Sequence, residues 1–308
     1  MLRRDFNVGL SLLVLAPYLR SANGASRGPL FWRITRGKAR VFLMGFGDAK
    51  TTDESWFTPA IQKAFRESSE LWLEVAPSDA GSHDAASKAK ADALYESLSH
   101  EPPGRTFFDE LHPEVRARTL AYMEKLGVPK EKVEPLRPWR AYYVINSAFW
   151  SHKKISYQPV YVDEVLRKLA GEQGKQLQYE MPSGVAFAQF MAAMPQKAQS
   201  QYIEWLLDFF EDPLDDAATF SWMKGNPVSN GLDRMRAKTP QLYQAMQVQR
   251  NSWWAQKIDD LLASPGTYFV AIGELHVLGP DGIPNQLQRR GIIRPSELRE
   301  NPPVETIG

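Results

Sequence analysis

Short apolar runs near both ends of the chain enclose a long stretch with helical periodicity. Phe31–Ile34 and Ala39–Met44 are β-type runs separated by a glycine-containing turn, which predicts a hairpin. Further runs at Leu71–Val75, in residues 174–179 and at Tyr268–Ile272 predict strands. Because these strands surround a helical middle, we predict an α/β fold. It has a central mixed β-sheet flanked by helices, with a long helical insertion between the N- and C-terminal strands.

Apolar residues three or four positions apart predict the helices. They cover Thr58–Ser68, most of residues 82–150, Val160–Glu172, a segment from Val185, Pro195–Glu211, Pro240–Ala263 and Ile283–Arg290. In the helix of residues 240–263, Arg250 falls on the same stripe as Met246 and Trp254. A guanidinium that faces the interior needs anionic partners. The alternative is that its stem lies along the surface and its charge reaches solvent.

Composition narrows the classes of protein. Lys and Arg total 37 against 36 Asp and Glu, so no global charge indicates a nucleic-acid partner. The chain has no cysteine, which excludes disulfides, thiolate metal sites and a cysteine nucleophile. Any metal must therefore be held by His, Asp or Glu. With 308 residues, 43% of them hydrophobic, we predict one domain over residues 29–296 and a C-terminal tail over residues 297–308.

The first 25 residues have the pattern of an export signal. Arg3 and Arg4 precede a short apolar run at Val8–Ala16, and small residues suited to cleavage follow. The run is too short to span a bilayer, and the mature chain is expected to have no transmembrane span. We therefore expect export to the periplasm or secretion. The arginine pair fits a twin-arginine signal, and an ordinary secretory peptide with two chance arginines is the alternative.

Two glycine-containing loops follow predicted strands in the same way. Gly45 is followed three positions later by Asp48, and Gly273 is followed at the same spacing by His276. In open α/β sheets, ligands bind beyond the carboxyl ends of strands, where these two loops are expected. Either residue alone has an ordinary interpretation, because Asp48 suits a loop or a helix cap and His276 suits a hydrogen-bonded core position.

Two carboxylates occupy comparable positions. Glu74 lies within an apolar run, where burial costs several kcal/mol unless the charge is paired or bound to a metal. The alternative is an edge strand on which Glu74 faces solvent. Glu180 follows the strand predicted at residues 174–179. The four side chains Asp48, Glu74, Glu180 and His276 therefore lie at or just past the carboxyl ends of predicted strands.

With these motifs in order, the chain resembles the TraB/GumN family, which is related to the Tiki proteins. The similar pieces are Gly45–Asp48, Glu74, Arg250–Asn251 and Gly273–Gly282. The resemblance implies a fold similar to erythromycin-esterase-like and ChaN-like proteins. It also implies a site made of two Gly-x-x-His motifs and a glutamate, which in Tiki-type relatives supports metal-dependent peptide cleavage. This chain departs from the family pattern at the first motif, where Asp48 replaces the histidine.

The resemblance implies specific roles for these residues. Asp48, Glu74 and His276 are expected to hold a divalent metal ion, with Mn²⁺, Fe²⁺ and Zn²⁺ as candidates. Glu274 or Glu180 is expected to act as general base, and Arg250 to stabilise an oxyanion or orient a carboxylate. The expected reaction is hydrolysis of a peptide or amide bond in a peptide or small-molecule substrate.

A different class of function stays open. The substitution at Asp48 is also compatible with a catalytically inactive binding or scaffold protein of the cell envelope. In that case aromatic side chains of the helices would form an interaction surface, although such residues are more often core. They are Trp205, Phe209, Phe210, Phe220 and Trp222. Phosphate binding at residues 45–47 is disfavoured, because neither a Lys-Ser/Thr pair nor a third glycine follows.

Overall fold

The fold is built on a six-stranded mixed sheet. The structure is a computed structural model and describes residues 28–47, 49–50, 55–77, 84–153, 159–212, 220–226, 230–293 and 299–300. Its strands are β1 Phe31–Arg36, β2 Ala39–Phe46, β3 Ala49–Lys50, β4 Glu70–Val75, β5 Pro159–Val160, β6 Gln176–Met181, β7 Gly266–Gly273 and β8 Arg299–Glu300. The sheet order is β6-β4-β7-β2-β1-β8, while β3 and β5 form a separate pair.

Strands β6, β4, β7 and β2 run parallel, and β1 lies between β2 and β8, antiparallel to both. Their carboxyl ends therefore meet at one edge of the sheet. In this register Phe46 lies opposite Gly273 and Val75 lies opposite Met181. The loops after β2 and β7 thus start side by side, as the sequence predicts for a shared site.

Glycine at position 45 is required by the close approach of these two loops. A Cβ atom there would lie 2.6 Å from Val277 Cγ2 and 3.4 Å from Glu274 Cα. The backbone conformation of Gly45 is ordinary, so the constraint is space alone. A missing side chain lets the two strand ends pack closely enough for one site to include residues from both.

Side chains alternate between the two faces of the sheet, and each face has its own core. Val41 and Leu43 of β2 pack with Val270 of β7 and with Trp254 and Ile258 of the helix Arg250–Leu262. On the opposite face, aromatic and aliphatic residues of the same strands pack with two helices, Pro59–Glu67 and Val162–Glu172. The described sheet is therefore covered on both faces, which confirms the predicted α/β class.

The region between β4 and β6 is mostly helical. Its helices are Ala85–Ser99, Pro113–Leu126, Lys130–Val133, Pro138–Lys153 and Val162–Glu172, with a 3₁₀ turn at Phe107–Glu110. After β6 come Gly184–Ala193, Gln196–Glu211, Asn230–Lys238 and a 3₁₀ turn at Ser221–Lys224. A third core lies among these helices, where Phe107, Phe108 and Ile145 pack against Ile203 and Leu207.

The helix predicted over residues 240–263 is present, but it is not uniform. It starts as Pro240–Tyr243, continues as a π-helical segment at Gln244–Gln249 and ends as Arg250–Leu262. A π-helical turn contains more residues than an α-helical turn and often lies at a functional site. This segment stands immediately before Arg250 and Asn251, both of which are buried.

Several boundaries differ from the predictions. Val160 was predicted to begin a helix, but it pairs with Ala49 in the small β3–β5 sheet, and the helix begins at Val162. Glu180 was predicted to follow a strand, but it lies inside β6. Within the predicted C-terminal tail, β8 pairs with Trp32 and Arg33 of β1. These pairings join segments far apart in sequence, so local periodicity does not reveal them.

Most of the aromatic side chains suggested for an interaction surface are core. Phe210, Phe220 and Trp222 are buried, whereas Trp205 and Phe209 are half-buried. An exposed surface made of all five is therefore not present. Among the described residues, we find no helix with both the length and the apolar character needed to cross a membrane.

Candidate functional site

The predicted site residues meet where the parallel strands end. Glu74 of β4 and Glu180 of β6 occupy neighbouring positions, and His276 stands in the 3₁₀ turn Glu274–His276 directly after β7. Arg250 reaches them from the long helix. Asp48, the residue predicted to follow β2, lies outside the described residues. Its neighbour Gly47 is described and packs against Trp222.

The guanidinium of Arg250 is the centre of this arrangement. Its Nε donates to Glu180 Oε1 at 2.9 Å, and its Nη2 donates to Glu180 Oε2 at 2.6 Å. The same Nη2 donates to Glu74 Oε2 at 2.6 Å, and Nη1 lies 3.0 Å from His276 Nε2. The Arg250 side chain is only 7% exposed, so its predicted inward orientation is confirmed. Burial lowers the pKa of Arg250, but Glu74 and Glu180 outweigh burial and raise it.

Glu180 is engaged by the protein on both oxygens. Besides the bidentate contact with Arg250, its Oε2 accepts a hydrogen bond of 2.9 Å from the Trp254 indole N–H. The side chain is 7% exposed. A bidentate arginine–carboxylate pair of this kind orients the guanidinium as well as neutralising it. Glu180 therefore holds Arg250 in position.

Glu74 occupies a more accessible position than Glu180, with a side chain that is 22% exposed. Its Oε1 accepts a 2.6 Å hydrogen bond from the Gly273 N–H, and its Oε2 lies 3.4 Å from His276 Nε2. Burial raises the pKa of the Glu74 carboxyl, but the charge of Arg250 and the hydrogen bond from the Gly273 N–H lower it, and the pKa falls well below its usual range. Glu74 is thus an ionised carboxylate at neutral pH.

The protonation pattern of His276 follows from its neighbour Asn251. Asn251 Nδ2 donates to the Asp281 carbonyl at 2.8 Å, which directs Asn251 Oδ1 toward His276 Nδ1 at 2.6 Å. The amide oxygen can only accept, so Nδ1 carries the proton. Nε2 of the neutral ring then presents its lone pair to Arg250 and to the space beside Glu74.

Aromatic side chains flank the same arginine. The Arg250 guanidinium carbon lies 6.0 Å from the centre of the half-buried Phe190 ring. Tyr143 and Phe187 continue this wall, with ring centres 6.0 Å apart. Burial, more than any neighbouring charge, raises the pKa of the Tyr143 hydroxyl, so it stays protonated. The polar centre is therefore bordered by apolar surface, as in many small-ligand sites.

The donor chemistry at this centre fits a divalent metal ion. His276 Nε2 has a lone pair, which accepts a hydrogen bond from Arg250, and the ionised Glu74 Oε2 lies 3.4 Å away. Two atoms that bind the same metal ion, each about 2.1 Å from it, lie about this far from each other. Arg250 donates to both atoms, so a metal ion bound by them would replace these two hydrogen bonds. The described residues include no group of three His, Asp or Glu side chains suited to a metal, so a third ligand would be Asp48, outside them.

The structure brings together Glu74, Glu180, Arg250 and His276, and it places Glu274 at the start of the His276 turn. Sequence reasoning assigned no role to Asn251 or to the Trp254 indole N–H. The position of Asn251 next to Arg250 was a signal for a shared role. Trp254 gave no such signal, because its position on the apolar stripe is typical of an ordinary core residue. Among the remaining histidines, His100 is partly exposed, His112 and His152 are exposed, and His83 lies outside the described residues.

Comparison with known proteins identifies a family. No curated protein and no solved structure shows significant similarity to the chain. The sequence pattern of the TraB/PrgY/gumN family, however, matches residues 30–295. This range includes every described residue of the site and nearly coincides with the predicted domain of residues 29–296. The chain therefore belongs to the TraB/PrgY/gumN family.

Proposed function

We propose that this chain is an exported metal-dependent hydrolase that cleaves a peptide or amide bond where β4, β6 and β7 end. One observation carries the proposal. The buried Arg250 lies within hydrogen-bonding distance of both His276, whose tautomer is defined, and the ionised carboxylate of Glu74. A histidine lone pair beside an ionised carboxylate is unfavourable in a purely structural ion pair, whereas the two groups together are suitable ligands for a divalent ion.

Glu74 and His276, with Asp48 as the third ligand, would hold the ion. A bound divalent ion supplies polarisation of a carbonyl and a lowered pKa for water. Asn251 holds the His276 ring so that Nε2 faces Glu74, and Gly273 holds the Glu74 carboxylate through its N–H. These contacts are the second layer that orients metal ligands.

Arg250 and Glu274 would perform the remaining steps. Arg250 is a preformed cation, held by Glu180, that would stabilise negative charge on the carbonyl oxygen during attack. Of the two predicted bases, Glu180 already accepts hydrogen bonds from Arg250 and Trp254 on both oxygens. We therefore favour Glu274 as the group that accepts a proton from water and returns it to the leaving amine.

The decisive experiment is elemental analysis of the purified mature chain beside Asp48→Ala and His276→Ala. His112→Ala is the matched control, because His112 is exposed at the start of a helix. We expect near-stoichiometric metal in the parent and in the control, and its loss in both site variants. Cleavage of a peptide library that chelator abolishes and metal restores would then establish the reaction.

A second candidate is a binding or scaffold protein of the cell envelope without catalysis. In its favour, the polar atoms of the site already have hydrogen-bond partners within the protein. Both oxygens of Glu74 and of Glu180 and both ring nitrogens of His276 contact other groups of the protein. A parent chain that takes up no manganese, iron or zinc on reconstitution and cleaves no peptide would support this candidate and overturn the hydrolase.

A further inference from the structure

A second polar centre lies in the helical region and shares no residue with the site around Arg250. It is a cavity of about 120 Å³ lined by charged and amide side chains, including Glu101, Arg105, Glu110, Arg137 and Gln199. Glu110 belongs to the 3₁₀ turn at residues 107–110, and Gln199 to the helix of residues 196–211. No role assigned above involves these side chains.

Two buried oxygen atoms at this cavity have no hydrogen-bond partner among the described residues. They are Glu110 Oε2 and Gln199 Oε1. The Glu110 side chain is only 3% exposed, and its carboxylate is paired with Arg105 through Oε1 alone. Gln199 Nε2 donates to the Met194 carbonyl at 3.1 Å, so its amide oxygen is the atom left over. Buried polar atoms without partners are rare in native proteins and call for an explanation.

Both of these atoms are acceptors, so a ligand that satisfies them must donate hydrogen bonds. Glu101 adds a third acceptor, a half-buried carboxylate, at the same cavity. Burial, and next the charge of Glu110, raises the pKa of the Glu101 carboxyl above its usual value. An anion would leave both acceptors unsatisfied and add repulsion, whereas a cation with N–H groups would satisfy all three side chains.

The two arginines at the cavity already donate hydrogen bonds to other groups of the protein. Arg137 Nε donates to the His100 carbonyl at 3.1 Å, and Arg105 is paired with Glu110. Arg105 is half-exposed, so the cavity opens to solvent beside it, and Glu110 lies at the buried end. A metal ion is disfavoured, because the part of the chain that the structure describes has no group of three acidic or histidine ligands.

We propose that this cavity binds a small organic cation through a primary ammonium group. The ammonium would donate to Glu110 Oε2, Gln199 Oε1 and the Glu101 carboxylate, with its carbon chain directed toward the opening beside Arg105. The volume corresponds to about four water molecules at about 30 Å³ each, which suits a short aliphatic amine. The ligand is either a free amine or the side chain of a lysine in another protein, since both present the same group.

The test is isothermal titration of the full mature chain with butylammonium chloride. Tetramethylammonium chloride is the matched probe, because it has the same charge but no N–H donor. Glu101→Gln is the main variant, since a half-buried carboxylate tolerates this change, and Glu110→Gln is the second. Glu131→Gln is the control variant, because Glu131 is exposed and does not line the cavity.

We expect saturable binding of butylammonium but not of tetramethylammonium. Affinity should fall at least about tenfold in Glu101→Gln and stay unchanged in Glu131→Gln. Equal binding of Nα-acetyl-lysine amide would identify a protein lysine as an acceptable source, and rejection of it would leave a free amine. Any one of four results would overturn the proposal. They are equal binding of both probes, no saturable binding, an unchanged affinity in Glu101→Gln, and a crystal grown with butylammonium that holds only water in the cavity.

Discussion

Arg250 and Glu180 form a bidentate ion pair in which Nε and Nη2 of the arginine lie 2.9 and 2.6 Å from the two carboxylate oxygens. Both side chains are buried, and they come from a helix and a strand that are 70 residues apart in sequence. The pair connects the long helix to the carboxyl edge of the sheet. Because Glu74 and His276 contact the same guanidinium, the position of every described site residue depends on this contact.

Arg250→Lys should therefore destabilise the protein although charge is conserved. A lysine ammonium cannot make the planar bidentate contact and cannot reach Glu74, Glu180 and His276 together. We expect a loss of about 1.5–3 kcal/mol in the free energy of unfolding, measured in urea. Arg236→Lys is the control, because Arg236 is half-exposed and pairs with Asp233 at the surface, and it should change stability by less than about 0.5 kcal/mol. Equal effects of the two substitutions would contradict this account.

The adjacent residues Trp253 and Trp254 provide a matched pair. Trp254 is fully buried and donates its indole N–H to Glu180, whereas Trp253 is 38% exposed and stacks on Lys257. Trp254→Phe should cost about 2–3 kcal/mol of unfolding free energy, because a charged acceptor loses its donor. Trp253→Phe should cost less than about 1 kcal/mol. Unfolding curves that coincide for the two variants would show that the Glu180 contact contributes nothing.

Asn251 should determine the tautomer of His276. In Asn251→Leu the acceptor at Nδ1 is lost, and the ring proton is expected to move in part to Nε2, where Glu74 can accept it. Nitrogen-15 spectra of the imidazole rings measure this directly, with the His276 signal identified by its absence in His276→Gln. Asn285→Leu is the control, because Asn285 binds only the Gly279 carbonyl in the same turn. Unchanged spectra in Asn251→Leu would argue against the assignment.

Asp208 should make stability depend on pH. Burial raises its pKa, but hydrogen bonds from Arg118 at 2.8 Å and Lys238 at 3.1 Å outweigh burial, so the pKa lies below its ordinary value of 3.8. A lowered folded-state pKa stabilises the protein above 3.8, and the gain is lost as pH falls through the folded value.

The stability difference between the parent and Asp208→Asn should therefore shrink as pH is lowered from about 7 to about 3. Urea unfolding at several pH values measures it. Glu211→Gln is the matched control, because Glu211 contacts the same arginine but is half-exposed, and its effect at neutral pH should be the smaller of the two. A difference for Asp208→Asn that stays constant with pH would contradict the expectation.

Local patterns in the sequence were sufficient for much of the fold. The hairpin of β1 and β2, the strand before Gly273 and the helix after Gly282 all begin and end within two positions of their predicted bounds. The inward orientation of Arg250 follows from its place on the apolar stripe. These features depend on residues within a few positions of each other, and short-range periodicity records them.

The composition of the site was predictable only in part. Glu74, Glu180, Arg250 and His276 stand at positions where parallel strands and a packed helix are expected to meet, so the sequence by itself indicated that they share one region. The sequence did not predict which of these residues pair. The parallel register of β4 and β6 places Glu180 beside Glu74, and the π-helical segment before Arg250 changes the direction in which its side chain leaves the helix. The tertiary structure alone decided these contacts and the cavity beside Glu110, since both join segments whose distance in space is set by packing and not by local sequence.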